Sequence, residues 1–158
     1  MTISVGEKLP SITLKTMGEN GPEDITTDSI FSGKKIVLFA VPGAFTPGCS
    51  NTHMPGFIVH ADSIKAKGVD SIVCLAVNDP FVMGAWGKTQ NAEELLLVAD
   101  GNCEFTSAIG MELDGSGFGL GTRSKRYAMI VNDSVVEAIN LDEKGIEKST
   151  AESILELL

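Results

Sequence analysis

Cys49 lies in AVPGAFTPGCSNTHMPGF, residues 40–57, a stretch with three prolines, three glycines and His53 that directly follows an apolar run. The side chain able to do chemistry here is the thiol, because its thiolate form is both a strong nucleophile and a metal ligand. Proline and glycine dictate the surrounding backbone, which argues against the small buried hydrophobe that a free cysteine often is. Three chemistries are open to it. Metal binding would pair Cys49 with His53, at i and i+4 on one helical face. His60 falls on that face by angle, yet seven residues at 1.5 Å rise put it about 10 Å from His53, too far for one ion with ligands at about 2 Å. Two ligands do not make a site, so no metal is expected, and His53 is read as a polar neighbour of the cysteine or a packed residue. Dithiol exchange needs C-x-x-C spacing, and the third residue after Cys49 is Thr52. What remains is a lone activated thiolate whose electrophile comes from solution.

Activation needs positive potential. A helix starting near Gly48 would place Cys49 in its first turn, where free backbone N–H groups and the macrodipole favour an anion. An exposed helix end gives less than the task requires, so a cation is wanted as well. Thr122-Arg123-Ser124-Lys125-Arg126 places three cations within four residues of an otherwise acidic chain; it reads either as a solvated turn or as the source of Arg126 or Arg123 beside the sulfur. Cys74, between Val73 and Leu75, and Cys103 fit the bland role of small buried hydrophobes.

The elements that must position Cys49 can be read from periodicity. Ile36 to Val41 is an apolar run suited to a strand buried on both faces, ended by Pro42. A helix from about Gly48 to Ala66 follows, with a kink at Pro55, which lacks a donor and crowds the preceding turn. Ser71 to Val77 is a second buried strand. Asn78-Asp79-Pro80 caps a helix to about Lys88. Leu95 to Ala99 is a third strand, followed by a short helix around Cys103 to Gly110. Arg126–Val131 and Val135–Ile139 flank the turn Asn132-Asp133-Ser134 as a hairpin. Ser149 is expected to cap a last helix, Thr150 to Leu157, with Glu152 at the capping-box position. Alternating strands and helices, then a hairpin and a helix, predict an α/β domain: a mixed central sheet flanked by helices, with the order of a thioredoxin-like fold. The segment after Val41 is the carboxyl end of a strand, where reactive groups collect in such sheets.

The chain has 158 residues, 43% hydrophobic and 21% charged, which suits a single domain over residues 1–158. A net charge of −9 argues against a nucleic-acid partner. No apolar run approaches the ~20 residues of a membrane span. Three cysteines are too few and too separated for a disulfide framework, and the N-terminus lacks the pattern of a secretory signal; a reducing, cytoplasmic setting is expected.

Pro42-Gly43-Ala44-Phe45-Thr46-Pro47-Gly48-Cys49 matches the P-x3-T-x2-C signature, and PGAFTPGCSNTHMPGF, KGVDSIVCLAVNDPFVMGAW, LLLVADG and GLGTRSKRYAMIVND extend the likeness over most of the chain. The sequence resembles the peroxiredoxins, in particular the type II or type 5 subfamily. The resemblance implies a thioredoxin-like fold and a thiol peroxidase, an antioxidant oxidoreductase of cell redox homeostasis that reduces hydrogen peroxide and alkyl hydroperoxides with no bound cofactor. By the same resemblance Cys49 is the peroxidatic cysteine, Thr46 orients the peroxide, Pro42 shields the thiolate and Arg126 is the active-site arginine. Arg126, the Thr46 hydroxyl and the Gly48 and Cys49 amides are expected donors to the breaking O–O bond.

Turnover requires a second thiol. The family's plant-like pattern has a second cysteine 25 residues on, matching Cys74, but bonding to Cys49 would require local unwinding of the first helical turn. Direct recycling by glutathione or a glutaredoxin, or by thioredoxin, stands beside Cys74 as resolving residue, with Cys103 a further candidate. Phe45, Met83, Trp86 and Phe118 are candidates for an apolar rim. Pairing as a homodimer around the active site is implied by the resemblance. A peroxide-sensing relay or a thiol-dependent chaperone using Cys49 is the alternative function.

Overall fold

The computed structural model describes residues 1–158. Its elements are β1 (Thr13–Gly18), β2 (Gly21–Thr26), α1 (Thr27–Phe31), β3 (Lys35–Val41), a widened helical turn (Cys49–His53), α2 (Met54–Val59), α3 (Ala61–Ala66), β4 (Ser71–Ala76), α4 (Pro80–Gln90), β5 (Leu96–Ala99), α5 (Glu104–Ala108), β6 (Glu112–Asp114), a 3-10 turn (Ser116–Phe118), β7 (Thr122–Ser124), β8 (Arg126–Asn132), β9 (Val135–Asp142) and α6 (Ala151–Leu157). Seven strands form one mixed sheet in the order β2-β1-β5-β4-β3-β8-β9. β3, β4 and β5 run parallel, while β8 adds antiparallel to β3. β6 and β7 form a separate small hairpin.

β3 shows why the centre of the sheet reads as an unbroken apolar run. Val37, Phe39 and Val41 point to the layer that contains Phe57, Ile64, Met83, Trp86 and Ile154, whereas Ile36, Leu38 and Ala40 point to the layer of Phe31, Phe105, Ile109 and Met111. All six of these residues, Ile36 to Val41, are fully buried, and the larger side chains among them each contribute about 1.5–3 kcal/mol on burial. The helices therefore lie on both faces and the carboxyl ends of the three parallel strands open toward the Cys49 segment.

Several elements differ from expectation. The continuous helix over 48–66 is divided. Helical bonding starts where the Ser50 N–H donates to the Thr46 carbonyl at 2.9 Å, the turn at Cys49–His53 widens to π geometry with Met54 N–H donating to the Cys49 carbonyl, and a second break falls at His60 (φ −95°, ψ 7°) between α2 and α3. Pro55 accounts for the widened turn: its ring crowds the carbonyl four residues back and it has no N–H to offer. The cap of α6 is Thr150, whose hydroxyl accepts from Ser153 N–H, and not Ser149. Glu152 is thus one position short of a capping box and pairs with His60 at 3.0 Å instead. β9 runs three residues beyond Ile139 to Asp142, past a bulge near Ile130 and Val131. β1 and β2 carry no apolar run to announce them, because β2 is an exposed edge strand that tolerates Pro22.

Candidate active site

The segment between β3 and the widened turn is held by one contact to its own backbone and one to the side chain of Asn78 after β4. Thr46 Oγ donates to the Gly43 carbonyl at 2.6 Å, and Ala44 N–H donates to Asn78 Oδ1 at 2.9 Å. The Thr46 hydroxyl has one proton and gives it to Gly43, so toward any further partner it is an acceptor; the expectation that it donates is revised. Ahead of the first helical bond, the amides of Gly48 and Cys49 are the unpaired donors of the helix start. Pro47 at the first helical position costs nothing there, since its missing N–H would have had no partner.

Arg126, at the start of β8, donates from Nη2 to Cys49 Sγ at 3.2 Å. The same guanidinium donates from Nη1 to His53 Nδ1 at 2.9 Å. Because Nδ1 is an acceptor, the imidazole proton sits on Nε2, which donates to the Ser149 carbonyl at 2.8 Å. Both ring nitrogens are thereby taken, leaving none for a metal. The ring lies buried against the stacked pair Phe39 and Phe57, with centroids 5.1 and 5.6 Å away. His53, whose role the sequence leaves open, is a hydrogen-bond partner of the arginine. Gly48 permits this approach, since a Cβ on it would stand 3.3 Å from Arg126 Nη2.

Arg123 does not reach the sulfur. It donates from Nη1 to the Pro42 carbonyl at 3.2 Å and from Nε to the Leu120 carbonyl at 3.0 Å, bracing the loop from the far side. A Cβ on Gly43 would lie 2.5 Å from Arg123 Nη1, so only glycine leaves room for that brace. The basic cluster is therefore no solvated turn: β7 and β8 divide it so that Arg123 holds the loop and Arg126 faces Cys49.

A cavity of about 460 Å³ opens beside this centre, lined by Pro42, Gly48, Leu113, Arg126 and Ile146 among others. None of the four residues expected to form the apolar rim, Phe45, Met83, Trp86 and Phe118, lines it. Trp86 and Met83 are fully buried core residues, and the Trp86 indole N–H donates to Ser50 Oγ at 2.9 Å. Phe45 and Phe118 are exposed, at 53% and 88%. Leu113 and Ile146, which the sequence reading did not single out, supply apolar wall instead. Cys74 is fully buried in β4, opposite Phe39 in register. Burial, with a smaller contribution from Cys49, pushes its thiol well up. Cys103 is partly buried, with Sγ accepting from Ser107 Oγ at 3.5 Å.

Burial, opposed by the hydrogen bond to Ser149 and reinforced by the charge of Arg126, lowers His53 to a pKa of about 4 from 6.5. The unfolded chain takes up this proton near 6.5 while the fold resists it until about 4, so stability falls as pH drops through that window, by about 3 kcal/mol in total. Urea unfolding at several pH values should show this loss in the wild type and a shallower one in His53→Leu. Parallel losses would mean that His53 is not the group responsible.

A thiol at a strand-to-helix junction of a mixed α/β sheet, faced by an arginine and free amides, is the arrangement of a thioredoxin-fold thiol peroxidase. The Redoxin family model matches residues 4–155. Peroxiredoxin-2E, chloroplastic, of Arabidopsis thaliana is 47% identical over 99% of this chain and 70% of its own length. Peroxiredoxin-2D of the same plant is 46% identical, covering 99% and 98%. The crystal structure of reduced Prx3 from Vibrio vulnificus in complex with hydrogen peroxide superposes with a TM-score of 0.95 at 52% identity, covering 99% of both chains. The chain belongs to the peroxiredoxin family. It is a thiol peroxidase, an antioxidant oxidoreductase whose substrates are peroxides and whose turnover draws on thiol reductant, in a family that needs no prosthetic cofactor. No helix is long and apolar enough to cross a membrane.

Proposed function

We propose that Cys49 is the peroxidatic residue of a one-cysteine cycle, recharged by an external thiol, glutathione or a glutaredoxin, rather than by Cys74 or Cys103. The observation that carries this reading is the placement of Cys74 inside β4, fully buried beside Phe39, where its thiol is pushed well up and no arginine donates to it as Arg126 does to Cys49. In the first step the Cys49 thiolate attacks one peroxide oxygen. The S–O bond forms as the O–O bond breaks, sulfur is oxidised by two electrons, and the departing oxygen takes a proton to leave as water or alcohol. Arg126 and the Gly48 and Cys49 amides stabilise the charge that develops on the oxygens, the Thr46 hydroxyl accepts from the peroxide O–H and orients it, and Pro42 walls off water without adding a donor. One thiol then condenses with the sulfenic acid, releasing water, and a second displaces it as a disulfide, restoring Cys49.

The apolar wall of Leu113 and Ile146 supports alkyl hydroperoxides as substrates beside hydrogen peroxide. Exposed Phe45, Phe81 and Phe118 support a homodimer that covers them, one seven-stranded sheet supports a single domain over 1–158, and three free cysteines support the cytoplasm. The test is steady-state peroxide reduction with glutathione and glutaredoxin against a thioredoxin supply, in wild type and Cys74→Ser. The variant is expected to keep its full glutathione- or glutaredoxin-dependent rate. A rate reduced tenfold or more, with a Cys49–Cys74 disulfide found by mass spectrometry in the wild type, makes Cys74 the resolving residue.

A further inference from the structure

Asp142 stands directly opposite Arg126 across β8 and β9, so the two side chains leave the sheet on one face, where opposite charges ordinarily pair. They do not pair. The Asp142 carboxylate turns to the loop after β9 and accepts from the backbone N–H groups of Glu147 (3.1 Å), Lys148 (2.9 Å) and Ser149 (2.8 Å) and from the Ser149 hydroxyl (2.7 Å). Burial pushes this carboxyl up, but the Ser149 hydroxyl and the three amides outweigh it and hold the group below its ordinary range. The loop is thus wound around an ionised carboxylate.

The last residue of that loop carries the connection onward. Ser149 is fully buried, and its carbonyl is the acceptor for His53 Nε2. With Nε2–H fixed, Nδ1 must accept, and its donor is Arg126, whose other fork nitrogen faces Cys49 Sγ. We propose that Asp142 is a positioning residue for the peroxidase: it fixes the Ser149 carbonyl, which fixes the His53 ring and, through it, the Arg126 fork on the Cys49 sulfur. The inference rests on Cys49 being the reacting sulfur. It also explains why Asp142 does not capture the arginine it faces: four donors occupy the carboxylate, and the guanidinium is left to the sulfur and the imidazole. The link runs through hydrogen bonds with one productive tautomer, so it transmits orientation.

The experiment is a double-mutant cycle on the full chain with Asp142→Asn, His53→Leu and the double variant. Sulfenic acid formation with hydrogen peroxide is followed through Trp86, the single tryptophan, whose indole donates to Ser50 beside Cys49. Asp142→Asn places an amide donor among donors; the second-order rate is expected to fall at least about tenfold, and 15N spectra of the folded variant to show His53 as a mixture of tautomers in place of the pure Nε2–H form. In the His53→Leu background the same change is expected to cost nothing further, because its route to Arg126 is already cut. A wild-type rate in Asp142→Asn, an unchanged His53 tautomer, or losses that multiply in the double variant would overturn the proposal. If Asp142→Asn does not fold, Ser149→Ala, which keeps the amides and drops only the hydroxyl, takes its place in the cycle with the same criteria. Absence of sulfenic acid in the wild-type chain would instead sink the assignment of Cys49.

Discussion

Cys49→Ser abolishes peroxide reduction and leaves the fold in place. The substitution exchanges one small side chain for another at a fully buried position, and the serine oxygen can accept the Arg126 hydrogen bond that the sulfur accepts now. Stability should therefore change by no more than about 1 kcal/mol. Chemistry does not survive, because an alcohol keeps its proton at neutral pH and no neighbouring base is available to remove it: the His53 nitrogens are both committed, one to Arg126 and one to Ser149. With no thiolate there is no S–O bond and no sulfenic acid for a reductant to attack. Peroxide consumption with excess thiol should fall to the rate of the buffer alone, with unchanged urea unfolding as the control. Residual turnover above that background would place the reaction on Cys74 or Cys103.

How far the sequence carried this site depended on whether the signal was local. Cys49, Thr46 and Pro42 share eight residues whose proline and glycine pattern declares a strand-to-helix junction, and the apolar run of β3 declares the strand that presents them. Those parts were legible. The residues alone offered Arg126 or Arg123 as the cation; the resemblance singled out Arg126 and gave Thr46 and Pro42 their roles, since the approach of Arg126 to Cys49 depends on the antiparallel addition of β8 to β3, a pairing that periodicity does not encode. His53 was visible as a residue but not as a role: its partners lie 73 and 96 positions away. Asp142 was missed altogether, because the polar end of β9 reads as the loop after Ile139, yet its register opposite Arg126 is what brings the 147–149 loop to the imidazole. The rim failed in the opposite sense. Trp86 and Met83 have the composition of a pocket wall, but α4 turns them onto the sheet, and an amphipathic helix face does not say which layer it will cover.

Arg126→Met should slow attack on peroxide by about 100- to 1,000-fold, the usual cost of removing one preorganised donor from a developing oxyanion. It should also destabilise the fold by about 1–3 kcal/mol, because His53 Nδ1, buried against Phe39 and Phe57, loses its donor. Arg126→Lys separates charge from geometry. An ammonium keeps the positive potential beside the sulfur but is a point donor, and it cannot span Sγ and Nδ1, which the guanidinium now holds at 3.2 and 2.9 Å with two nitrogens of one rigid plane. The lysine variant should therefore fall between, about 10- to 100-fold below wild type. Stopped-flow rates of sulfenic acid formation and urea unfolding of both variants read the two effects separately. A lysine variant as fast as wild type would show that charge alone activates the thiolate and that the fork on His53 serves only the fold; a methionine variant as fast as wild type would remove Arg126 from the reaction.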